Sequence, residues 1–396
     1  MTSDHSSPGA ARHPLPQGER GHRLWCARLS LVDFRNHAHL DLELDSRPVC
    51  LYGANGAGKT NILEALTMLA PGRGLRSAAL LEAARGGEEG AVDRLRPWSV
   101  AARIVADGEA MQFGVGAERT PEGGVKRVTR LNGEPATAGD LARAARMTWL
   151  TPAMDRLFSG PAGDRRRFFD RLVLGRAPEH GHQAAAYERA MRERQRLLND
   201  NVYDDAWLGG LEREMAAHGS ALAAARVETL DMLQAAIRAR PEGAFPKSDL
   251  ALQGALEERF IAHDKSADVE EDFTALLRDV RRRDAGAGRA LDGPHRSDLL
   301  VRHAPKNMPA DQSSTGEQKA LLIGLVLAHA RALAEDPGAG PALILVDEAA
   351  AHLDADRRAA LFEELLASPG QAWLTGTDQN LFDAFAARAQ MFRVGV

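Results

Sequence analysis

Two stretches of this chain carry side chains whose types and spacing suit work on a phosphate. Gly53-Ala54-Asn55-Gly56-Ala57-Gly58-Lys59-Thr60 fits the phosphate-loop pattern GxxxxGK[ST] at every fixed position, and Asn61 leads on into apolar spacing suited to a helix. In that pattern the glycines turn backbone N–H groups toward a phosphate at a helix N-terminus, Lys59 reaches the outer phosphates, and the Thr60 hydroxyl serves Mg2+. Far downstream, Leu343-Ile344-Leu345-Val346-Asp347-Glu348 ends an apolar run in two adjacent carboxylates. Asp347 is the expected metal partner and Glu348 the group that would polarise an attacking water. Taken alone, such a run also reads as an acidic helix start; the phosphate loop lends it chemical meaning.

Between them, Ser314-Thr315-Gly316-Glu317-Gln318 opens a helix. Ser314 and Glu317 have capping-box spacing, an ordinary helix start. A helix N-terminus with a serine hydroxyl and a glycine amide is equally a second phosphate site. Ala351-His352-Leu353-Asp354 follows the carboxylate pair and is informative only in that order.

These groups need a scaffold. Val49 to Tyr52 predicts a strand, Gly53 onward a tight loop, and Asn61 to Leu69 a helix. Ala342 to Val346 is wholly apolar, as suits a parallel sheet covered on both faces. A helix from about Glu317 to Ala334 precedes it, and a helix over Arg357 to Leu366 and a strand over Ala372 to Thr375 follow. Arg23 to Asp45 alternates with period two and predicts a hairpin. Residues 98 to 134 predict antiparallel strands with turns at Asp107-Gly108, Glu122-Gly123-Gly124 and Asn132-Gly133. From about Asp164 to Gly293 the pattern is long Ala- and Arg-rich helix, including Ala206 to about Ala239, which Pro241 closes. His218 and Thr229 interrupt the apolar seam of that stretch, which argues against a coiled-coil arm.

Composition narrows the class. At 396 residues the chain is too long for a disulfide-stapled scaffold, and 44% hydrophobic with 27% charged residues predicts a true core. Cys26 and Cys50 are the two cysteines and have no CxxC spacing, which argues for a reducing compartment and against zinc. No apolar run approaches the roughly 20 residues that span a bilayer. Residues 1–22 are rich in Ser, Pro, Gly and His without an apolar segment, so they read as a disordered tail, and the expected location is cytoplasmic, with the nucleoid. A net charge of −5 disfavours a nucleic-acid partner, but Gly160 to Asn199 holds nine arginines against five acidic residues. Arg165, Arg166, Arg167 and Arg171, with Arg281, Arg282 and Arg283, would follow duplex phosphates without reading bases. The alternative is a solvated helical face with ion pairs to Asp164, Asp170 and Asp284.

The order of phosphate loop, Ser-x-Gly-Glu helix, Asp-Glu strand and Leu-Asp resembles the ABC ATPases, although transporter cassettes place Lys59 and Ser314 equivalents much closer together. The fuller set resembles the RecF family of bacterial recombination mediators from about Leu24 to the C-terminus. Its members here are Asp33-Phe34-Arg35-Asn36, the phosphate loop, Gly72-Arg73-Gly74-Leu75-Arg76-Ser77, Leu150-Thr151-Pro152, Gly160-Pro161 and Arg165-Arg166-Arg167-Phe168-Phe169-Asp170. Gly293-Pro294-His295-Arg296-Ser297-Asp298 and the Ser314 helix complete it.

That resemblance implies an α/β fold, an ABC/SMC-type P-loop ATPase head with an antiparallel β subdomain and an inserted, mainly helical second lobe. Residues 23–163 and 293–396 would form the head and 164–292 the insertion. It implies weak DNA-stimulated ATP hydrolysis with Mg2+, in an ATP-dependent homodimer. Each nucleotide would lie between one chain's phosphate loop and the other's signature residues Ser314, Gly316, Glu317 and Gln318, with Asp354 in the adjoining D-loop. Arg35 and Asn36 would flank the adenine, though a strand-end turn explains them equally. Double-stranded DNA, single/double-strand junctions, RecR and RecO would be partners, with RecA loading, gap repair, fork maintenance and the SOS response as the setting. A transporter-type or adaptor ABC ATPase is the alternative. Two departures stand out: Met147-Thr148-Trp149 lacks the cassette glutamine, leaving its role to Thr148, and Leu374-Thr375-Gly376-Thr377-Asp378 lacks the cassette histidine, leaving its role to Thr377 or Asp378.

Overall fold

The computed structural model describes residues 23–72, 74–76, 79–86, 97–120, 124–348 and 353–395. The predicted tail, Arg73, Ser77, the Glu122-Gly123 part of one turn, and Ala351-His352 lie outside the described residues.

Period-two alternation near the start folds as predicted into β1 (Leu24–Phe34) and β2 (His37–Glu43). β3 (Val49–Tyr52) then feeds the phosphate loop and α1 (Lys59–Met68). β4 (Trp98–Ala106), β5 (Glu109–Arg119), β6 (Val125–Leu131) and the short β7 (Glu134–Pro135) widen the hairpin into an antiparallel sheet ordered β2-β1-β4-β5-β6-β7. Asp107-Gly108 and Asn132-Gly133 make its tight turns with φ positive at both positions of each pair, the geometry that matches strand twist.

After α2 (Ala138–Ala144) and β8 (Arg146–Leu150) the chain becomes helical. α3 (Ala162–Arg176), α4 (His180–Asn199) and α5 (Asp205–Ala239) are followed by β9 (Ser248–Gln253), α6 (Ala255–Ile261), α7 (Ser266–Asp279) and α8 (Arg281–Ala287). At 35 residues α5 spans roughly 50 Å, yet it does not stand free. Its first half packs Leu208, Met215 and Leu222 against Tyr187, Leu198, Val269 and Phe273. Its second half sends Leu230, Leu233 and Ile237 into a second core, with Leu321, Leu325, Ile344 and Leu374. A helix serving two cores in succession needs no regular heptad, which is why its apolar repeat drifts.

The chain then returns through β10 (Asp298–His303), β11 (Met308–Pro309) and α9 (Thr315–Glu335). β12 (Ala342–Val346), α10 (Ala355–Ala367), β13 (Ala372–Gly376) and β14 (Gln390–Arg393) close the fold. β14-β3-β13-β12-β8 is a parallel sheet. All five residues of β12 are buried, as its unbroken apolar run requires. The strand β9 was not foreseen in a stretch expected to be mainly helical. It pairs antiparallel with β10, Leu252 opposite Leu299 and Leu250 opposite Val301, and so stitches the helical segment to the head. Nearby, Gly293 has a φ of +131°, and a Cβ there would clash with the Tyr187 hydroxyl.

Candidate functional site

β3 and β12 both end at the carboxyl edge of the parallel sheet, where open α/β sheets hold ligands. The loop after β3 turns through positive φ at Gly53, Gly56 and Gly58. A Cβ on Gly58 would meet the Asn36 amide and His37 Nε2 at 2.6 Å. Side chains of the β1–β2 turn thus lie directly on the loop: Asn36 Nδ2 donates to the Ala57 carbonyl at 3.2 Å and Asn61 Nδ2 donates to Asn36 Oδ1 at 2.6 Å. α1 starts without a side-chain cap, so its first N–H groups face the concavity of the loop. Lys59 is buried, with Nζ donating to the carbonyls of Gly53 at 2.7 Å and Ala54 at 2.9 Å.

Thr60 and the carboxylate pair come together across 287 residues of chain. Thr60 Oγ1 donates to Asp347 Oδ1 at 2.9 Å, and Thr375 Oγ1 donates to the same oxygen at 2.7 Å. The Glu348 N–H in turn donates to Thr375 Oγ1 at 2.9 Å. Glu348 has φ +50°, a strained conformation for a residue with a side chain, and that hydrogen bond helps to hold it. Sequence reasoning missed Thr375. Its signal was a hydroxyl at the end of an otherwise apolar strand adjoining β12.

Thr60, Asp347 and Glu348 open into a cleft of about 1060 Å³ that runs past Arg76, Trp149 and Thr151 to the start of α3. Here Thr148 is a correction. It is level with Ile344 in the register, buried inside β8, and therefore short of the sheet edge. Thr151 is the residue that lines the cleft, next to the Leu150 carbonyl that accepts the Asp347 N–H at 2.9 Å. Beyond β13, Thr377 is exposed, and the Asp378 carboxylate accepts the Asn380 N–H at 2.9 Å, capping a turn.

Ser314 and Gly316 sit exposed at the start of α9. Lys306, with help from the Ser314 N–H, pulls the Glu317 carboxyl down to about 2. Gln318 does not project outward with them. Its amide is buried and donates to the carbonyls of Ser313 at 2.9 Å and Asp311 at 3.2 Å, bracing the loop from inside the chain. Asp354 caps α10, accepting the Arg357 N–H at 2.8 Å.

The arginines separate by partner. Arg35 is tied to its own chain: its guanidinium donates to buried Glu64 at 2.9 Å and to the Glu82 carbonyl. Arg165 is paired with Asp298 at 2.6 Å, and Arg281 is buried between Glu212 and Asp205, so neither is free to follow a duplex. Arg171 lies against Trp149 in the wall of the cleft. Arg166 is half-buried on the Ser297 carbonyl. Arg167 is exposed beside Asp164, Arg282 is exposed, and Arg283 is paired with Asp292. Asp170, in the wall of the cleft, is taken up by its own partners: burial opposes its ionisation, but Arg226 and His180 hold its carboxyl at about 2.

A phosphate loop and an Asp-Glu strand at one sheet edge, beside an antiparallel sheet and interrupted by a helical segment, define an SMC/RecF-type ATPase head. Residues 26–394 match the family model of the RecF/RecN/SMC N-terminal domain. The DNA replication and repair protein RecF of Brucella suis biovar 1 is 52% identical over 376 residues, covering 95% of this chain and 96% of that protein. Its counterpart in Rhizobium meliloti is 50% identical over 376 residues, covering 94% and 98%. The chain belongs to the RecF family. Among solved structures, the recombination mediator protein RecF with ATP, from the RecFOR pathway, shares the fold with TM-score 0.77 at 19% identity, over 94% of this chain and 97% of that one.

Proposed function

We propose that the chain is an ATP-gated DNA clamp that works as a recombination mediator in gap repair and at replication forks. The observation that carries this reading is the hydrogen-bonded line Thr60–Asp347–Thr375–Glu348 at the mouth of the phosphate loop. A hydroxyl and a carboxylate 2.9 Å apart are the oxygen donors that a hard, small cation takes beside nucleotide phosphates, so Thr60 and Asp347 fit Mg2+. Bound there, the ion would supply charge for the phosphate oxygens. Gly53 to Asn61 cradle the phosphates, Lys59 leaves its carbonyl partners for the outer oxygens, and Glu348 orients water.

Ser314 and Gly316 are presented outward, as contact with a nucleotide on a second chain requires; Glu317 fixes their loop, and Asp354 stands at the adjoining turn. ATP then favours the dimer because its last phosphate touches both chains, and weak, DNA-stimulated hydrolysis removes that bridge. Residues 23–163 with 293–396 act as the head and 164–292 as the second lobe. Duplex DNA and single/double-strand junctions are the nucleic-acid partners, met by Arg166, Arg167 and Arg282. RecR and RecO are the protein partners, and RecA loading is the outcome.

The test is Lys59→Met. It is expected to weaken ATP binding by about tenfold or more and to abolish ATP-dependent retention on duplex DNA, read by filter capture with and without nucleotide. Full retention would remove the phosphate loop from the mechanism.

A further inference from the structure

Arg171 is a part-buried cation with no counter-charge among the described residues. It projects from α3 into the wall of the cleft, where its guanidinium carbon lies 4.5 Å from the Trp149 ring centre and 5.3 Å from that of Phe168. Nη2 donates to the Trp149 carbonyl at 3.3 Å and reaches Met154 Sδ at 3.4 Å, while Nε has no partner. Among the described residues no carboxylate lies within ion-pair distance of it. Burial pushes its pKa down to about 9.

Buried charges are ordinarily paired, and aromatic faces compensate only in part. The nearest acids of the cleft are already satisfied. Asp170 holds Arg226 at 2.7 Å and His180 at 3.0 Å, and Asp164 holds Arg167. Arg156, exposed on the same wall, has no ion pair among the described residues. At the far end of this continuous space stand Thr60, Asp347 and Glu348, where the outer phosphate of a nucleotide would lie.

We propose that Arg171 anchors a phosphate-binding site separate from the phosphate loop, which receives the inorganic phosphate released by hydrolysis before it leaves past Arg167 and Arg156. The proposal rests on the ATPase reading above. No bond is made or broken at Arg171. Water has by then replaced the ADP oxygen on phosphorus, and the dianion moves from one set of donors to another. Nε is sealed inside the wall, so the planar guanidinium, braced by two rings, would offer its terminal Nη N–H groups to such an oxyanion.

Inorganic phosphate titrated into the full chain, followed by calorimetry in the Lys59→Met background, isolates this site from the loop. Lys59→Met is expected to bind phosphate, and Lys59→Met/Arg171→Met to bind it about tenfold or more weakly. Lys59→Met/Arg167→Ala, altered at an exposed position, is expected to bind it about threefold more weakly. Undiminished binding in the Arg171 double variant would overturn the proposal. Should that variant not fold, undiminished binding in the Arg167 double variant would do so. Absence of phosphate binding in Lys59→Met would leave the loop as the sole site. A short duplex oligonucleotide bound by Lys59→Met but lost in Lys59→Met/Arg171→Met would assign Arg171 to a nucleic-acid phosphodiester and equally defeat the proposal. ATP binding by the unaltered chain, measured alongside, fails or succeeds independently of these results.

Discussion

Glu348→Gln is expected to lower ATP turnover by about 10²–10⁴-fold, the usual contribution of a positioned acid–base group, while leaving ATP bound. Glutamine keeps the shape of the side chain and the backbone N–H that donates to Thr375, so the strained turn at residue 348 survives. What it loses is the charge that orients water. With hydrolysis stopped and the nucleotide site intact, ATP should hold two copies closed on duplex DNA. Phosphate release and DNA dissociation measured on the same sample check both halves. A variant that remains a monomer with ATP and leaves DNA at the normal rate would defeat the clamp mechanism.

Arg194→Met should produce the second large effect, on stability. Arg194 is 1% exposed and donates to Glu212 at 3.2 Å, to Asp284 at 2.7 Å and to the Leu277 carbonyl at 2.6 Å, joining α4, α5, α7 and α8. Glu212 retains Arg281 after the substitution. Asp284 keeps the Leu291 N–H at 3.2 Å and an exposed arginine 3.8 Å away. Removing one member of a buried ion network destabilises by about 3–5 kcal/mol, because the partner's charge stays buried. Chemical denaturation should show that loss. Adding Asp284→Leu should recover much of it, since the pair is then absent rather than broken. Equal stability of Arg194→Met and the unaltered chain would mean that the helices are held by apolar packing alone.

The residues around Glu348 differ in how far the sequence revealed them. The phosphate loop is local: eight consecutive residues carry it, and the strand and helix on either side are forced by the same short stretch. Asp347 and Glu348 were legible for a related reason, since an unbroken apolar run leads into them. Thr375 was not, because its role depends on β13 lying beside β12, a pairing that no local pattern encodes. Thr148 misled for the same reason. Two threonines three residues apart look equivalent in sequence, and only the register against β12 shows that Thr151 reaches the edge.

The arginines show the limit most clearly. In sequence, Arg165 and Arg167 are neighbours of one kind in one basic run. In the fold, Arg165 is tied to an aspartate 133 residues away while Arg167 points outward beside Asp164. Charge density along the chain therefore overstated the number of unpaired guanidinium groups. β9 escaped notice because Ser248-Asp249-Leu250-Ala251-Leu252-Gln253 is short, sits among helices, and takes its identity from β10.

If a triphosphate joins two copies of this chain, the molar mass in solution must depend on which nucleotide is bound. Light scattering on the unaltered protein without nucleotide, with ADP and with ATP is expected to give the monomer mass in the first two conditions and twice that mass with ATP. One mass across all conditions would contradict the account.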